Sequence, residues 1–80
     1  MKILIIEDET KTANALKKGL EDSGYVVDVA YEGLDGLAKA NEGKYNLIVS
    51  DIIMPGISGI ELCKRVRTDN GHVRILLLTA

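Results

Sequence analysis

Hydrophobic and polar positions follow two rhythms along the chain. Lys2 to Ile6 is a short isoleucine-rich run closed by Glu7-Asp8-Glu9, the pattern of a buried strand. From Thr10 to Asp22 the apolar residues Ala13, Leu16 and Leu20 recur at helical spacing, and Gly24 supplies a stop. Val26 to Ala30 is brief and β-branched, a second strand. Leu34, Leu37 and Ala38 line one side of a short helix ending near Gly43, and Leu47-Ile48-Val49 forms a third strand closed by Asp51. Met54-Pro55-Gly56 reads as a loop. Ser58 with Glu61 three residues on matches a capping box. The helix it opens turns Leu62, Cys63 and Val66 inward and ends by Asn70-Gly71, and Val73 to Leu78 is a fourth strand. The order βαβαβαβ implies a parallel sheet with helices on its faces, a doubly wound α/β fold. Continuous apolar runs suit strands buried on both sides. Element order alone leaves the strand order open.

Composition narrows the class. Eighty residues make at most one domain, with an expected radius of gyration of about 12 Å. A hydrophobic fraction of 46% argues against disorder. Ten Lys and Arg against twelve Asp and Glu, with no basic run, leave no electrostatic footprint for nucleic acid. The single cysteine, Cys63, cannot staple the chain internally and fits a reducing compartment. The first apolar run ends at Glu7, too soon for a signal peptide, and no stretch approaches the roughly 18 residues of a membrane span. A cytoplasmic protein is expected.

The chemistry lies where strands end. Glu7 and Asp8 follow the first strand and Asp51 the third. Ligands of open α/β sheets bind beyond the carboxyl ends of strands, where strand order reverses. In an order 2-1-3-4, the first and third strands flank that point and lie about 4.8 Å apart, so the three carboxylates converge. Converging like charges raise one another's pKa values, a conflict that a hard divalent cation such as Mg²⁺ relieves. Taken singly the residues have plainer readings: Glu7 to Glu9 as acids near a helix N-terminus, Asp51 as a turn residue before Pro55. With Thr79 following the fourth strand, all of them fall on one edge of one sheet, which favours a shared site. His72 reads as a solvated turn residue, Cys63 as helix core, and Tyr25, Tyr31 and Tyr45 as packing residues. Gly33 and Gly36 are too sparse for a phosphate loop.

These motifs together resemble a known family. Lys2-Ile3-Leu4-Ile5-Ile6-Glu7-Asp8-Glu9 is similar to the opening of response-regulator receiver domains of bacterial two-component systems. Ser50-Asp51-Ile52-Ile53-Met54-Pro55-Gly56-Ile57-Ser58-Gly59 resembles the segment around their phosphorylated aspartate, and Leu76-Leu77-Leu78-Thr79-Ala80 their fourth strand with its switch threonine. The wording is nearest the branch whose receivers precede a winged-helix DNA-binding domain.

The resemblance implies a flavodoxin-like receiver fold in strand order 2-1-3-4 and a phosphorelay function. Asp51 would be the phosphoacceptor. Asp8, Asp51 and the backbone carbonyl of Ile53 would hold Mg²⁺, with Glu7 acting through a metal-bound water. Thr79 would bond the phosphoryl group and couple it to a switch. The donor would be a phosphohistidine on a sensor histidine kinase, and DNA would be reached only through a separate output domain. Such a domain is a phosphoacceptor rather than an enzyme. Receivers continue through a fourth helix, fifth strand and fifth helix, so residues 1–80 are expected to be a partial receiver, without the lysine that follows strand 5 and with impaired self-catalysed phosphotransfer.

Two alternatives belong to other classes. One is a non-catalytic, self-associating scaffold with the receiver topology. The other is a flavin-binding module, disfavoured because Glu7-Asp8-Glu9 stands where a phosphate would have to sit. Right-handed crossovers put one helix on one face of the sheet and two on the other. The fourth strand, apolar on both sides, would then be an edge with a bare face. A homo-oligomer, most simply a two-fold dimer, is expected to cover it.

Overall fold

The structure, a computed structural model, describes residues 1–69 and 71–79. Asn70, expected at the end of the third helix, and Ala80, the last residue of the receiver-like ending, lie outside the described residues. Seven elements follow in order: β1 (Lys2–Ile6), α1 (Thr10–Asp22), β2 (Val26–Ala30), α2 (Gly33–Ala40), β3 (Leu47–Asp51), α3 (Gly59–Asp69) and β4 (Arg74–Leu78). All strand pairs are parallel and the sheet order is β2-β1-β3-β4, so the conditional order of the sequence reading is the one adopted. The radius of gyration is 11.3 Å.

Strand alternation divides the core in two. Leu4, Ile6, Ala30 and Ile48 point to one face, where α2 and α3 cover them with Ala40, Leu62 and Val66. Ile3, Ile5, Val27 and Val49 point to the other, covered among the described residues by α1 through the half-buried Leu16 and Leu20. The asymmetry expected from right-handed crossovers is therefore present. Between α1 and β4 it leaves a groove lined entirely by aliphatic side chains, with Leu76 52% exposed at its rim.

Five sequence-based expectations need correction, four of side-chain placement and one of a strand boundary. In α2, Leu34 and Ala38 are exposed, while Gly33, Gly36 and Ala40 face inward. A methyl group at Gly36 would lie 2.6 Å from the Ile6 side chain, so α2 approaches β1 too closely for leucine on that face. Cys63 is half-buried beside the fully buried Leu62 and Val66. Of the three tyrosines only Tyr45 is core, while Tyr25 and Tyr31 are exposed, the Tyr31 hydroxyl donating to Asn14 at 2.8 Å. Val73 is buried but precedes β4 rather than opening it. The capping at α3 is half the expected box: Ser58 Oγ accepts from the Glu61 N–H at 3.2 Å, while the Glu61 carboxylate turns to Arg65. His72 is an exposed turn residue.

At the amino ends of the strands, the buried Tyr45 donates its hydroxyl to Asp28 at 2.7 Å, with Lys2 Nζ 3.6 Å from the same carboxylate and over the Tyr45 ring. The Tyr45 hydrogen bond is the main reason the Asp28 carboxyl titrates below its ordinary 3.8; the charge of Lys2 assists against partial burial. Burial, then the bond to Asp28, pushes the Tyr45 phenol up. A carboxyl depressed on folding contributes stability above its unfolded pKa, and that contribution fades as pH falls through the lowered value. Tyr45→Phe is expected to cost about 1 kcal/mol at neutral pH, below the usual range for a bond to a charged group because Asp28 is partly solvated. Urea titrations should show this difference shrinking as pH falls below 3.8. A pH-independent difference would mean that lost packing, rather than the bond to the carboxylate, sets the cost.

Candidate functional site

The carboxyl edge of the sheet is assembled by backbone pairing. Ile6 pairs with Ser50 in the β1–β3 register and Asp51 with Leu78 in β3–β4. The next residues of each chain, Glu7, Asp8, Ile52 and Thr79, therefore leave the sheet side by side. The Glu7 N–H continues the ladder to Ala30 O at 3.0 Å, and the Ile52 N–H bonds Leu78 O at 3.0 Å. An apolar run pins β1 and β4, and Glu7 and Thr79 follow directly at the edge; in β3 the fully buried Ser50 intervenes before Asp51.

One carboxylate oxygen from each of Glu7, Asp8 and Asp51 lies within 4.8 Å of the others. Glu7 is 9% exposed, Asp51 half-buried and Asp8 exposed, so the cluster grades from protein to solvent. Burial pushes the Glu7 carboxyl above its ordinary 4.5; its hydrogen bond with Asp8 and the charges of Asp51 and Asp8 push it further, against the opposing Glu9 N–H bond at 3.2 Å. Glu9 caps α1 by accepting from the Lys11 N–H at 3.2 Å, so the plainer reading of the acidic run holds for this one residue. An all-oxygen, anionic donor set open to water on one side suits a hard cation that keeps several waters, which is Mg²⁺ rather than a thiolate- or imidazole-seeking metal.

Thr79 joins Glu7, Asp8, Thr12 and Asp51 around an open cleft of about 380 Å³. No Lys or Arg lines it among the described residues. All three acidic residues and the threonine singled out in the sequence are thus in one place. Ile53 lies two residues beyond Asp51 and is 78% exposed, so nothing in the packing demands isoleucine there. The loop from 52 to 58 arches between two buried anchors, Met54 and Ile57, with Pro55 and Gly56 at its tip and Gly56 at φ +80°. Gly59 closes the arch: its N–H bonds Ile52 O at 2.8 Å, and a methyl group there would stand 2.2 Å from Asp51 O. In the sequence, Ser58 and Gly59 stand out as the start of a helix and as the end of the segment that resembles the phosphoacceptor region; the close approach of Gly59 to Asp51 becomes visible in the fold. The signal for this second role is a glycine one residue past a capping serine, a place where glycine has no helical advantage.

Residues 3–80 match the family model of the response regulator receiver domain. The transcriptional regulatory protein CusR of Escherichia coli is 48% identical over 80 residues, spanning all of this chain and 35% of CusR. YkoG of Bacillus subtilis, an uncharacterized transcriptional regulatory protein, is 44% identical over 78 residues, 98% of this chain and 34% of its own length. The chain thus spans about a third of these curated relatives. Among solved structures, the response regulator TrrA of Thermotoga maritima in complex with Mg²⁺-BeF superposes with a TM-score of 0.94 at 40% identity, covering 99% of this chain and 69% of TrrA. The complex of TrrA with the histidine kinase ThkA gives a TM-score of 0.92, also at 40% identity, over 99% of this chain and 68% of that one.

Proposed function

The chain belongs to the response regulator receiver domain family, and from that membership we propose that Asp51 accepts a phosphoryl group from a phosphohistidine on a sensor histidine kinase. The observation that carries the proposal is the meeting of the Glu7, Asp8 and Asp51 carboxylates within 4.8 Å, in a cleft that also holds Thr79. An Asp51 carboxylate oxygen forms the new P–O bond as the donor's P–N bond breaks, and the bonding pair stays on the imidazole nitrogen. Asp8, Asp51 and the Ile53 carbonyl would hold Mg²⁺, with Glu7 reaching it through water; the ion supplies positive charge against the phosphoryl oxygens. The Thr79 hydroxyl donates to a phosphoryl oxygen and so registers whether Asp51 is modified. TrrA, crystallised with Mg²⁺-BeF in one case and with a histidine kinase in another, supports both the ion and the donor class. We propose further that the protein acts in the cytoplasm and, like the transcriptional regulatory proteins CusR and YkoG, regulates transcription.

The cleft lining offers no basic side chain among the described residues, so transfer should be slow. Loss of one electrostatic donor typically costs about 10²–10³ in rate. With a small phosphoramidate donor and Mg²⁺, residues 1–80 are expected to acquire one phosphoryl group at least about tenfold more slowly than the TrrA receiver. Equal rates would contradict this. No labelling at all, in a folded sample saturated with Mg²⁺, would favour the second reading, a non-catalytic scaffold.

We further propose that the 80-residue chain self-associates. Among the described residues, Leu76 stands 52% exposed beside the aliphatic groove and β4 has β3 as its one strand neighbour, which offers a second copy of residues 1–80 a strand to pair with. Two-fold pairing of β4 with a second copy would cover both features. Sedimentation at micromolar concentration is expected to show a dimer that Leu76→Glu dissociates. A monomer with a dispersed NMR spectrum would contradict it.

A further inference from the structure

Gly33 is the first residue of α2, is buried, and has no positive φ, so its backbone conformation does not require glycine. Space does. A methyl group on Gly33 would lie 2.2 Å from Ile57 Cγ2 and 2.8 Å from the Ile57 carbonyl oxygen. Real side chains are not found at such distances, and the second neighbour is backbone, which cannot rotate away. Ile57 is the buried far anchor of the loop from 52 to 58, whose near end is Asp51. On its other side, Gly33 shares a smaller cleft with Asp8, Pro55 and Gly56. The start of α2 is therefore the wall against which the acceptor loop is seated.

We propose that Gly33 is a positioning residue for the acceptor site: by leaving room for Ile57, it sets where the loop runs and so where the Ile53 carbonyl stands relative to Asp8 and Asp51. The inference rests on the metal-binding reading given above. The loop is short and tied at its start by the Ile52 N–H bond to Leu78 O and at its end by the Gly59 N–H bond to Ile52 O. A push at Ile57 is passed back along this short loop, through the exposed Pro55 and Gly56 and the buried Met54, to Ile53. Gly33 touches neither the ion's oxygens nor the phosphoryl group.

The test is Mg²⁺ affinity, read by NMR titration of the 80-residue chain, beside urea stability for each variant. Gly33→Ala is expected to bind Mg²⁺ about tenfold more weakly or worse, the usual cost of disturbing groups that orient metal ligands. Adding Ile57→Ala removes the nearer overlap. The double variant is expected to regain part of the affinity although it buries less and is less stable. A merely structural role predicts the reverse, affinity falling along with stability. If Gly33→Ala alone does not fold, the double variant is compared with Ile57→Ala: weaker binding in the double supports the role, because the carbonyl overlap persists, and equal binding overturns it. Wild-type affinity retained by a folded Gly33→Ala also overturns it. A wild-type chain that binds no Mg²⁺ overturns instead the metal-binding reading beneath.

Discussion

Asp8→Asn is expected to weaken Mg²⁺ binding by about a hundredfold and phosphoramidate labelling by about 10²–10³, while leaving the metal-free chain slightly more stable. The two signs come from one cause. Asp8 is one of three carboxylates whose oxygens lie within 4.8 Å of one another, and its charge and its hydrogen bond both help raise the Glu7 carboxyl. Removing it relieves like-charge repulsion in the metal-free fold. Asp8 is exposed, so the gain is small, on the order of 0.5 kcal/mol. With the cation present the same charge is attractive, and its loss removes a ligand. Thermal unfolding with and without Mg²⁺ reads both effects: the wild type is stabilised by the ion and the variant is not. A variant that loses stability in both conditions would mean that Asp8 holds up the β1–α1 turn and has no metal role.

Leu62→Ala should lower the melting temperature by roughly 12–24 °C. Leu62 is completely buried between α3 and the sheet, and truncating such a leucine costs about 3 kcal/mol in lost burial plus cavity. In a domain of this size each kcal/mol is worth about 4–8 °C. An 80-residue chain holds only about 4–12 kcal/mol in all, so the variant is close to unfolded at physiological temperature. The comparison is Leu34→Ala, with a residue 58% exposed on α2. Surface changes of this kind usually stay within about 0.5 kcal/mol. Equal losses from the two variants would contradict the packing of α2 described here.

That contrast marks where the sequence stops being legible. β1, β3 and β4 are short apolar runs followed by polar residues, so their places in the chain and the edge that gathers Glu7, Asp8, Asp51 and Thr79 are readable directly, although β4 is half-buried at most. The bare groove beside β4 follows from crossover handedness and the position of three helices. α2 misleads because Leu34, Leu37 and Ala38 satisfy helical periodicity, yet only Leu37 packs on the core cluster. The helix lies so close to Ile57 and β1 at Gly33 and Gly36 that no side chain fits at these two inward positions, and absence of a side chain carries no hydrophobic signal. Tyr31 misleads for a related reason: an aromatic ring beside a strand end reads as packing, whereas here its hydroxyl reaches across to Asn14 on α1. The positions of Gly33 and Gly59 depend on which loop passes over them, which is a property of tertiary contact.

The identity of the phosphoacceptor is decided by mass spectrometric mapping after treatment with a phosphoramidate and Mg²⁺, on the wild type and on Asp51→Asn in parallel. A single phosphoryl group on the peptide containing Asp51, dependent on the metal and absent from the variant, is the expected result. Undiminished labelling of Asp51→Asn, or modification mapped to Asp8 or Glu7, would contradict it.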